Sequence, residues 1–243
     1  MSTPIRYNSA TLVTPFRGMA TASIVYDFDH LNHVGATGTA SANFVLRTEG
    51  ASNTGSGGQN GAEVTPSAGE YGAYYITSGS SSGARLCHEN GNLIPITGTP
   101  IMCEFKAKFT SGSSCFFGFM KPIATATATC TTALAASTPG AGALITTAGA
   151  IGLISQGFGG SANTAVTGIQ TLTAATYYRI GIKLFTNKQE LYLNGKKIGE
   201  QAFGTDTLGS GDANAAGLSP TATLITVSKT KGLVADWIAC GTE

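Results

Sequence analysis

The strongest local signal in this chain is an alternation of apolar residues with mostly charged ones. From Ile101 to Phe109 (IMCEFKAKF) every second residue is apolar, and the residues between them are mostly charged. Successive side chains of a β-strand point to opposite faces. The pattern therefore predicts a strand with one face in the core and the other in solvent, as antiparallel sheets permit.

Residues 176–200 (TYYRIGIKLFTNKQELYLNGKKIGE) contain two further alternating runs. The second run ends at Asn194-Gly195, and both central residues of a type I′ turn need the positive φ that Asn and Gly tolerate. The segment therefore predicts three successive antiparallel strands joined by hairpins.

Shorter runs rich in β-branched and aromatic residues predict the remaining strands. They fall at residues 22–28, 43–47, 72–77, 85–88, 115–120, 150–158, 221–227 and 233–239. Trp237, the only tryptophan, is expected in the core. About a dozen short strands without an amphipathic helix predict an all-β sandwich or barrel.

Three segments lack a convincing strand pattern. Residues 1–22 carry Pro4, Pro15 and Gly18 and predict an extended N-terminal arm with little regular structure. Residues 49–67 predict a surface loop, and the Ala/Thr-rich residues 124–149 predict a long loop with one strand at most. No linker-like break divides residues 23–243, so we expect the arm followed by one domain.

Charge and cysteine content narrow the classes of function. Only 11% of residues are charged, against about 25% in ordinary globular proteins. This favours an assembly component, with a Gly/Ser-rich extracellular-type β protein as the alternative. The net charge of +1 and the scattered basic residues disfavour nucleic-acid binding. The densest basic group is expected on a solvated strand edge: Lys183, Lys188, Lys196 and Lys197.

The five cysteines form an odd set without a C-x-x-C pair, so buried thiols are expected rather than a zinc site or a disulfide framework. The N-terminal residues lack the pattern of a secretory signal, and no apolar run reaches the ~20 residues of a membrane span. We expect synthesis in the cytoplasm, no membrane partner and no cofactor.

The hairpin residues carry a resemblance to known families. The segment YYRIGIK, followed by ELYLNGKKIG, resembles the hairpin of laminin-G-like and concanavalin A-like jelly rolls. YDFDHL near the start and LVADWI near the end are similar to the ends of such domains in tailed-bacteriophage virion proteins. The resemblance implies an antiparallel β-sandwich of the concanavalin A-like lectin type over residues 23–243.

Motifs for catalysis and metal binding are weak. Glucanases of this fold family carry Glu-x-Asp-x-x-Glu on one strand, and neither Glu104 nor Glu190 begins that pattern. The Gly-Ser-Ser-Ser-Gly of residues 79–83 would act as a nucleophile elbow only before a helix, which is not predicted. Asp27 and Asp29 could hold Ca²⁺ with loop carbonyls, although a solvated strand end explains them better. We expect a protein that is not an enzyme.

Three functions remain in competition. The first is a capsid decoration or cement subunit on the outside of a bacteriophage head, a homotrimer that contacts the major capsid protein. The second is a lectin-like module of a phage fibre or surface protein that binds a surface glycan. Its candidate sugar-stacking residues are Tyr71, Tyr74, Tyr75 and Tyr177. The third, a small adhesion domain, is weakened by the missing secretion signal.

Overall fold

A computed structural model describes part of the chain. The backbone is described for residues 5–7, 11–13, 24–27, 34–35, 44–48, 61–63, 74–77, 84–88, 99–120, 140–156, 164–203, 218–225 and 231–242. Side chains are described for residues 99–120, 140–156, 166–203, 218–225, 231–236 and 238–241. Among these residues the regular structure consists of β-strands, and none forms a helix long and apolar enough to cross a membrane.

The described strands, in chain order, are β1 (Ile5–Tyr7), β2 (Thr11–Val13), β3 (Ile24–Asp27), β4 (Val34–Gly35), β5 (Phe44–Thr48), β6 (Gly61–Glu63), β7 (Tyr74–Thr77), β8 (Ala84–His88), β9 (Ile101–Phe109), β10 (Cys115–Met120), β11 (Gly140–Ile145), β12 (Ala150–Gln156), β13 (Thr164–Thr171), β14 (Tyr178–Leu184), β15 (Lys188–Leu193), β16 (Lys196–Ala202), β17 (Ser219–Leu224) and β18 (Gly232–Thr242).

Two large sheets form a sandwich, and each is named here after a central strand. The β10 sheet has the order β13-β12-β11-β10-β17-β8-β5-β4. The β9 sheet has the order β16-β15-β14-β9-β18-β7-β6, with β3 also paired to β18. The large-sheet pairs are antiparallel except for the short parallel contact of β4 with β5.

The core lies between the two sheets because strands such as β9, β10 and β14 turn alternate apolar residues inward. Phe105 of β9 and Phe117 of β10 meet there, with ring centroids 5.4 Å apart and planes tilted by 59°. Tilted aromatic pairs at this separation add to the stabilisation from burial. Both phenylalanines belong to one core cluster to which strands of both sheets contribute.

The hairpin predicted from Asn194-Gly195 is confirmed. The two residues have φ angles of 52° and 82°, and they join Leu193 of β15 directly to its partner Lys196 of β16. Positive φ at both central positions lets the turn follow the twist of the flanking strands. β9 and β10 also have the bounds that the residue pattern predicts.

Two expectations need correction. The N-terminal arm was expected to have little regular structure, but β1 and β2 pair, with Ile5 opposite Val13. The predicted loop of residues 49–67 contains the short strand β6, which pairs with β7. In both places the pairing of backbone groups forms a strand that the local composition does not indicate. The expectation for Trp237 concerns a side chain outside the described set.

Candidate functional site

The outer face of the β9 sheet gathers most of the described charged side chains. Cys103, Phe105 and Ala107 of β9 lie in the core cluster, so the residues between them belong to the opposite face. The register with β14, β15, β16 and β18 brings further charged residues to that face. We call this surface the charged face: Glu104, Lys106, Lys108, Arg179, Lys183, Lys188, Glu190, Lys197, Glu200 and Asp236.

Glu104 and Arg179 form a bidentate ion pair in the middle of this face. Arg179 Nε donates to Glu104 Oε1 at 2.9 Å, and Arg179 Nη2 donates to Oε2 at 3.0 Å. Glu104 is 0% exposed. A planar guanidinium matches a carboxylate in this geometry, which fixes both side chains. The expectation that this side of β9 faces solvent is therefore wrong at Glu104, because alternation sets the direction of a side chain and not its burial.

Tyr177 lies beside two lysine side chains of β9. The ammonium groups of Lys106 and Lys108 are 5.2 Å and 4.7 Å from the centre of its ring. Lys106 also forms an ion pair with Asp236, a buried residue at the bulge of β18. An ammonium group within about 6 Å of an aromatic ring is attracted by the negative ring face.

A second cluster lies on β15 and β16, towards the edge of the described sheet. Glu190 Oε1 accepts hydrogen bonds from Lys188 at 2.9 Å and Lys197 at 2.7 Å, while Oε2 accepts one from Tyr192 at 2.8 Å. The same two lysines donate to Glu200 Oε2 at 3.1 Å and 2.6 Å. Two carboxylates and two ammonium groups therefore share one network, with the tyrosine hydroxyl on the buried side.

The network perturbs the ionisation of its members. Burial acts to raise the pKa of Glu190, but the bonds from Lys197, Lys188 and Tyr192 outweigh burial and lower that pKa from 4.5 to about 2. The bonds from Lys197 and Lys188 also lower the pKa of the more exposed Glu200. Glu190 therefore stays ionised at neutral pH and is unsuited to donate a proton as a general acid.

Each described acidic group of this face takes part in an ion pair. Cleavage requires one carboxyl group that is protonated at the working pH and a second that is free to act as base or nucleophile. Among the described side chains, Glu104 is engaged by Arg179 at both oxygens and Glu190 is engaged by two lysines. Fixed ammonium and guanidinium groups can instead donate hydrogen bonds to a polar ligand.

The sugar-stacking candidates from the sequence fall in different places. Tyr177 is half-buried on the charged face. The backbone register pairs Tyr75 with Val234, which in turn is paired with Lys108, so Tyr75 and Lys108 belong to one row across three strands. Tyr74 is paired with Ala235, whose side chain lies in the core. Tyr71 lies outside the described residues.

The metal candidates are placed only in part. Asp27 ends β3 and is paired in register with Trp237 of β18, whereas Asp29 lies outside the described residues. Among the side chains that the structure describes, no group of three or more potential ligands could hold a metal ion. The Gly-Ser-Ser-Ser-Gly segment of residues 79–83 also lies outside them.

Sequence reasoning missed the roles of Arg179, Tyr192 and Asp236. The alternation in Glu190-Leu191-Tyr192-Leu193 is enough to place Glu190 and Tyr192 on one face. The ion-pair partners of Arg179 and Lys106 could not be identified, because Glu104 and Asp236 lie on strands that are distant from them in the sequence. Lys183 also departs from the expected solvated edge, since it is buried on β14 with its ammonium group 5.3 Å from the Phe185 ring.

Comparison with known proteins defines the fold but not the family. No protein-family model and no curated protein sequence matches the chain. A solved protein of unknown function from Shewanella oneidensis MR-1 is similar in structure, with a TM-score of 0.57, 16% identity, and coverage of 90% of this chain and 85% of that one.

Two further similar structures belong to proteins whose descriptions refer to carbohydrates. An endo-acting O-glycanase structure from human gut microbiota, reported with mucin breakdown, has a TM-score of 0.55 and 12% identity over 91% of this chain and 99% of that one. The Emp47p carbohydrate recognition domain has a TM-score of 0.52 and 9% identity over 90% of this chain and 94% of that one. The described part of the protein is an antiparallel β-sandwich of the jelly-roll lectin type.

Proposed function

We propose that the protein is a carbohydrate-binding, lectin-like module and that its ligand binds on the charged face beside Tyr177. A sugar ring offers C–H groups on its faces and hydroxyls around its edge. A binding site therefore needs an aromatic ring next to fixed hydrogen-bonding groups. Tyr177 with the ammonium groups of Lys106 and Lys108 meets this need, and its hydroxyl adds a further hydrogen-bonding group that Phe185, the other ring flanked by two lysines, lacks.

Two further observations support this proposal. The register row that contains Tyr75 and Lys108 brings a second candidate tyrosine to the same end of the sheet. Two solved structures of the same fold are described by carbohydrate recognition or glycan cleavage. The ion-paired carboxylates of the charged face support binding without catalysis, since Glu190 has a pKa of about 2.

The test is binding of the full chain to an array of diverse glycans, followed by calorimetric titration with the best ligand. Tyr177→Ala should weaken binding by about tenfold or more, which corresponds to about 1.4 kcal/mol. Phe185→Ala is the matched control, because Phe185 also has two lysine ammonium groups near its ring, at 5.3 Å and 4.9 Å, but follows the opposite end of β14.

The outcome of this pair of variants is decisive because both remove a partly buried aromatic ring. Equal weakening by Tyr177→Ala and Phe185→Ala would place the sugar elsewhere on the protein. Binding to no glycan, by a chain whose circular dichroism and unfolding transition are those of a folded protein, would contradict the proposal itself.

The virion role remains a prediction that rests on composition and resemblance. It implies a homotrimer in contact with the major capsid protein on the exterior of a phage head. Quantitative mass spectrometry of purified particles tests it through the copy number of this chain relative to that protein. A ratio near one or one-third would support a decoration subunit, and a few copies per hundred would favour a fibre-borne module.

A further inference from the structure

Two cysteines from distant parts of the chain lie side by side on the core-facing side of the β9 sheet. Cys103 of β9 and Cys240 of β18 are directly opposite each other in the antiparallel register. Both thiols are free, both are buried, and both belong to the same core cluster. Their side chains therefore project from neighbouring strands on the same side of the sheet.

The hydrogen-bond ladder defines the type of this pair. The peptide groups of successive strand residues point to alternate neighbours. Thr110 N–H, next to β9, donates to Gly232 O at 3.0 Å, so even-numbered residues of β9 point their peptide groups towards β18. Ala175 N–H donates to Phe109 O at 2.8 Å, so odd-numbered residues point theirs towards the β14 side. Cys103 is odd, so its pair with Cys240 is not hydrogen-bonded.

The neighbouring strand gives the same answer independently. Asn194 N–H donates to Arg179 O at 2.8 Å, which directs odd-numbered residues of β14 towards β15 and even-numbered ones towards β9. Ile182 is even and is the β14 partner of Cys103. The peptide groups of Cys103 are therefore engaged with β14, on the side away from Cys240.

This type of pair suits a disulfide. Opposite residues of a non-hydrogen-bonded antiparallel pair have Cα atoms about 4.5 Å apart and side chains closer than in the hydrogen-bonded type. Disulfides span Cα separations of about 4.4 to 6.8 Å. Cys115, the third cysteine whose side chain is described, has no such neighbour, because its register partners are Ile145 and Leu224.

We propose that Cys103 and Cys240 are an oxidative modification site. The two cysteines form a cross-strand disulfide with each other, and a small-molecule disulfide such as oxidised glutathione is the oxidant. One cysteine, as thiolate, attacks the reagent to give a mixed disulfide and releases one reduced thiol. The second thiolate attacks the protein sulfur of that mixed disulfide, forms the Cys103–Cys240 bond and releases the second thiol. The protein loses two electrons and two protons, and the reagent gains them.

Burial controls when this chemistry occurs. Burial raises the pKa of Cys240 to about 12, and it also raises the pKa of Cys103. The reacting thiolate is therefore scarce while the strands are packed. The bond should form during folding, or when the final strand opens, and it should persist only in an oxidising compartment. Once formed, it would fix β18, the last described strand, to the centre of the sheet.

The test refolds the reduced, denatured chain in buffer that contains oxidised and reduced glutathione, so that access to the thiols does not limit the reaction. Free thiols are then alkylated and the protein is digested and measured by mass spectrometry. The expected product is a peptide pair that joins Cys103 to Cys240, two hydrogen atoms lighter than its reduced parts and separated by reductant. The urea midpoint should rise on oxidation.

Three variants separate this bond from other effects. Cys103→Ala and Cys240→Ala should each abolish the linked peptide and the rise in midpoint. Cys115→Ala removes a thiol that is equally buried, in the other sheet, and should retain both. The proposal is overturned if refolded protein with the native circular dichroism has Cys103 and Cys240 alkylated, or if either cysteine is linked instead to Cys87 or Cys130.

Discussion

Glu190→Gln removes the charge at the centre of the network on β15 and β16 while the size of the side chain is nearly unchanged. In the native protein this carboxylate accepts hydrogen bonds from Lys188, Lys197 and Tyr192. Glutamine can still accept a bond from the tyrosine, but it offers no negative charge to the lysines. The variant therefore reports the free energy of unfolding that the charge contributes.

The magnitude follows from the pKa of Glu190. The difference between 4.5 and about 2 corresponds to about 3 kcal/mol, at about 1.4 kcal/mol for each pKa unit. The side chains of Lys188 and Lys197 are 30% and 41% exposed, so solvent screens the interaction. We expect Glu190→Gln to lower the free energy of unfolding by about 2 kcal/mol near neutral pH.

The pH dependence has a defined sign. The pKa of Glu190 is lower in the folded protein, so its contribution is fully present above the unfolded value of 4.5 and is lost as the pH falls through about 2. The difference between wild type and Glu190→Gln should therefore shrink towards zero between these two values. Urea unfolding followed by circular dichroism at several pH values measures it.

Glu200→Gln is the matched control for this prediction. Glu200 binds the same two lysines, but its side chain is 43% exposed. Its replacement should cost about 0.5 kcal/mol or less. If both variants lose the same stability, or if the loss in Glu190→Gln is independent of pH, burial of the Glu190 carboxylate is not what gives the network its strength.

Two more substitutions test the buried geometry. Arg179→Met removes the bidentate partner of the fully buried Glu104. It should lower the free energy of unfolding, measured in urea, by about 3 kcal/mol. An unchanged midpoint would mean that Glu104 is compensated by other groups. Gly118→Ala would place a Cβ against the Ala141 carbonyl and 2.6 Å from Gly142 Cα. It should cost about 2 kcal/mol or more, whereas Gly168→Ala, which meets open space, should cost about 1 kcal/mol for its φ of 68°. Equal losses of stability in Gly118→Ala and Gly168→Ala would contradict the close approach of the two backbones at Gly118 and Gly142.

The strands with the strongest local signals were predictable from the sequence. Ile101–Phe109 alternates at every position except Met102, and Asn194-Gly195 permits the backbone angles of the turn that joins β15 and β16. β13 (Thr164–Thr171) was not predicted, because its sequence TAVTGIQT is interrupted by Gly168 and has no alternation. It is a strand because its backbone pairs with β12 across a bulge. Such pairing depends on residues that lie elsewhere in the chain.

The sequence predicts which face of the sheet carries the candidate site, but not how deeply its side chains are buried. Alternation on β9 correctly sends Glu104, Lys106 and Lys108 to the side opposite the core. It cannot tell that Glu104 is fully buried and bonded to Arg179, since that contact requires the register of β9 with β14. The same limit applies to Cys103 and Cys240. Their proximity is a property of the register between β9 and β18, and neither cysteine has a local motif.

The distribution of charge on the described residues agrees with the proposed binding surface. Of the 12 charged residues whose side chains are described, ten lie on the charged face. Stability alone does not explain this concentration, because the desolvation of buried ion pairs roughly offsets their attraction and apolar residues of similar volume often serve as well. A chain in which only 11% of residues are charged could have covered this sheet with apolar side chains. In the proposed function, the fixed charges beside Tyr177 provide oriented hydrogen-bonding groups for a polar ligand such as a glycan.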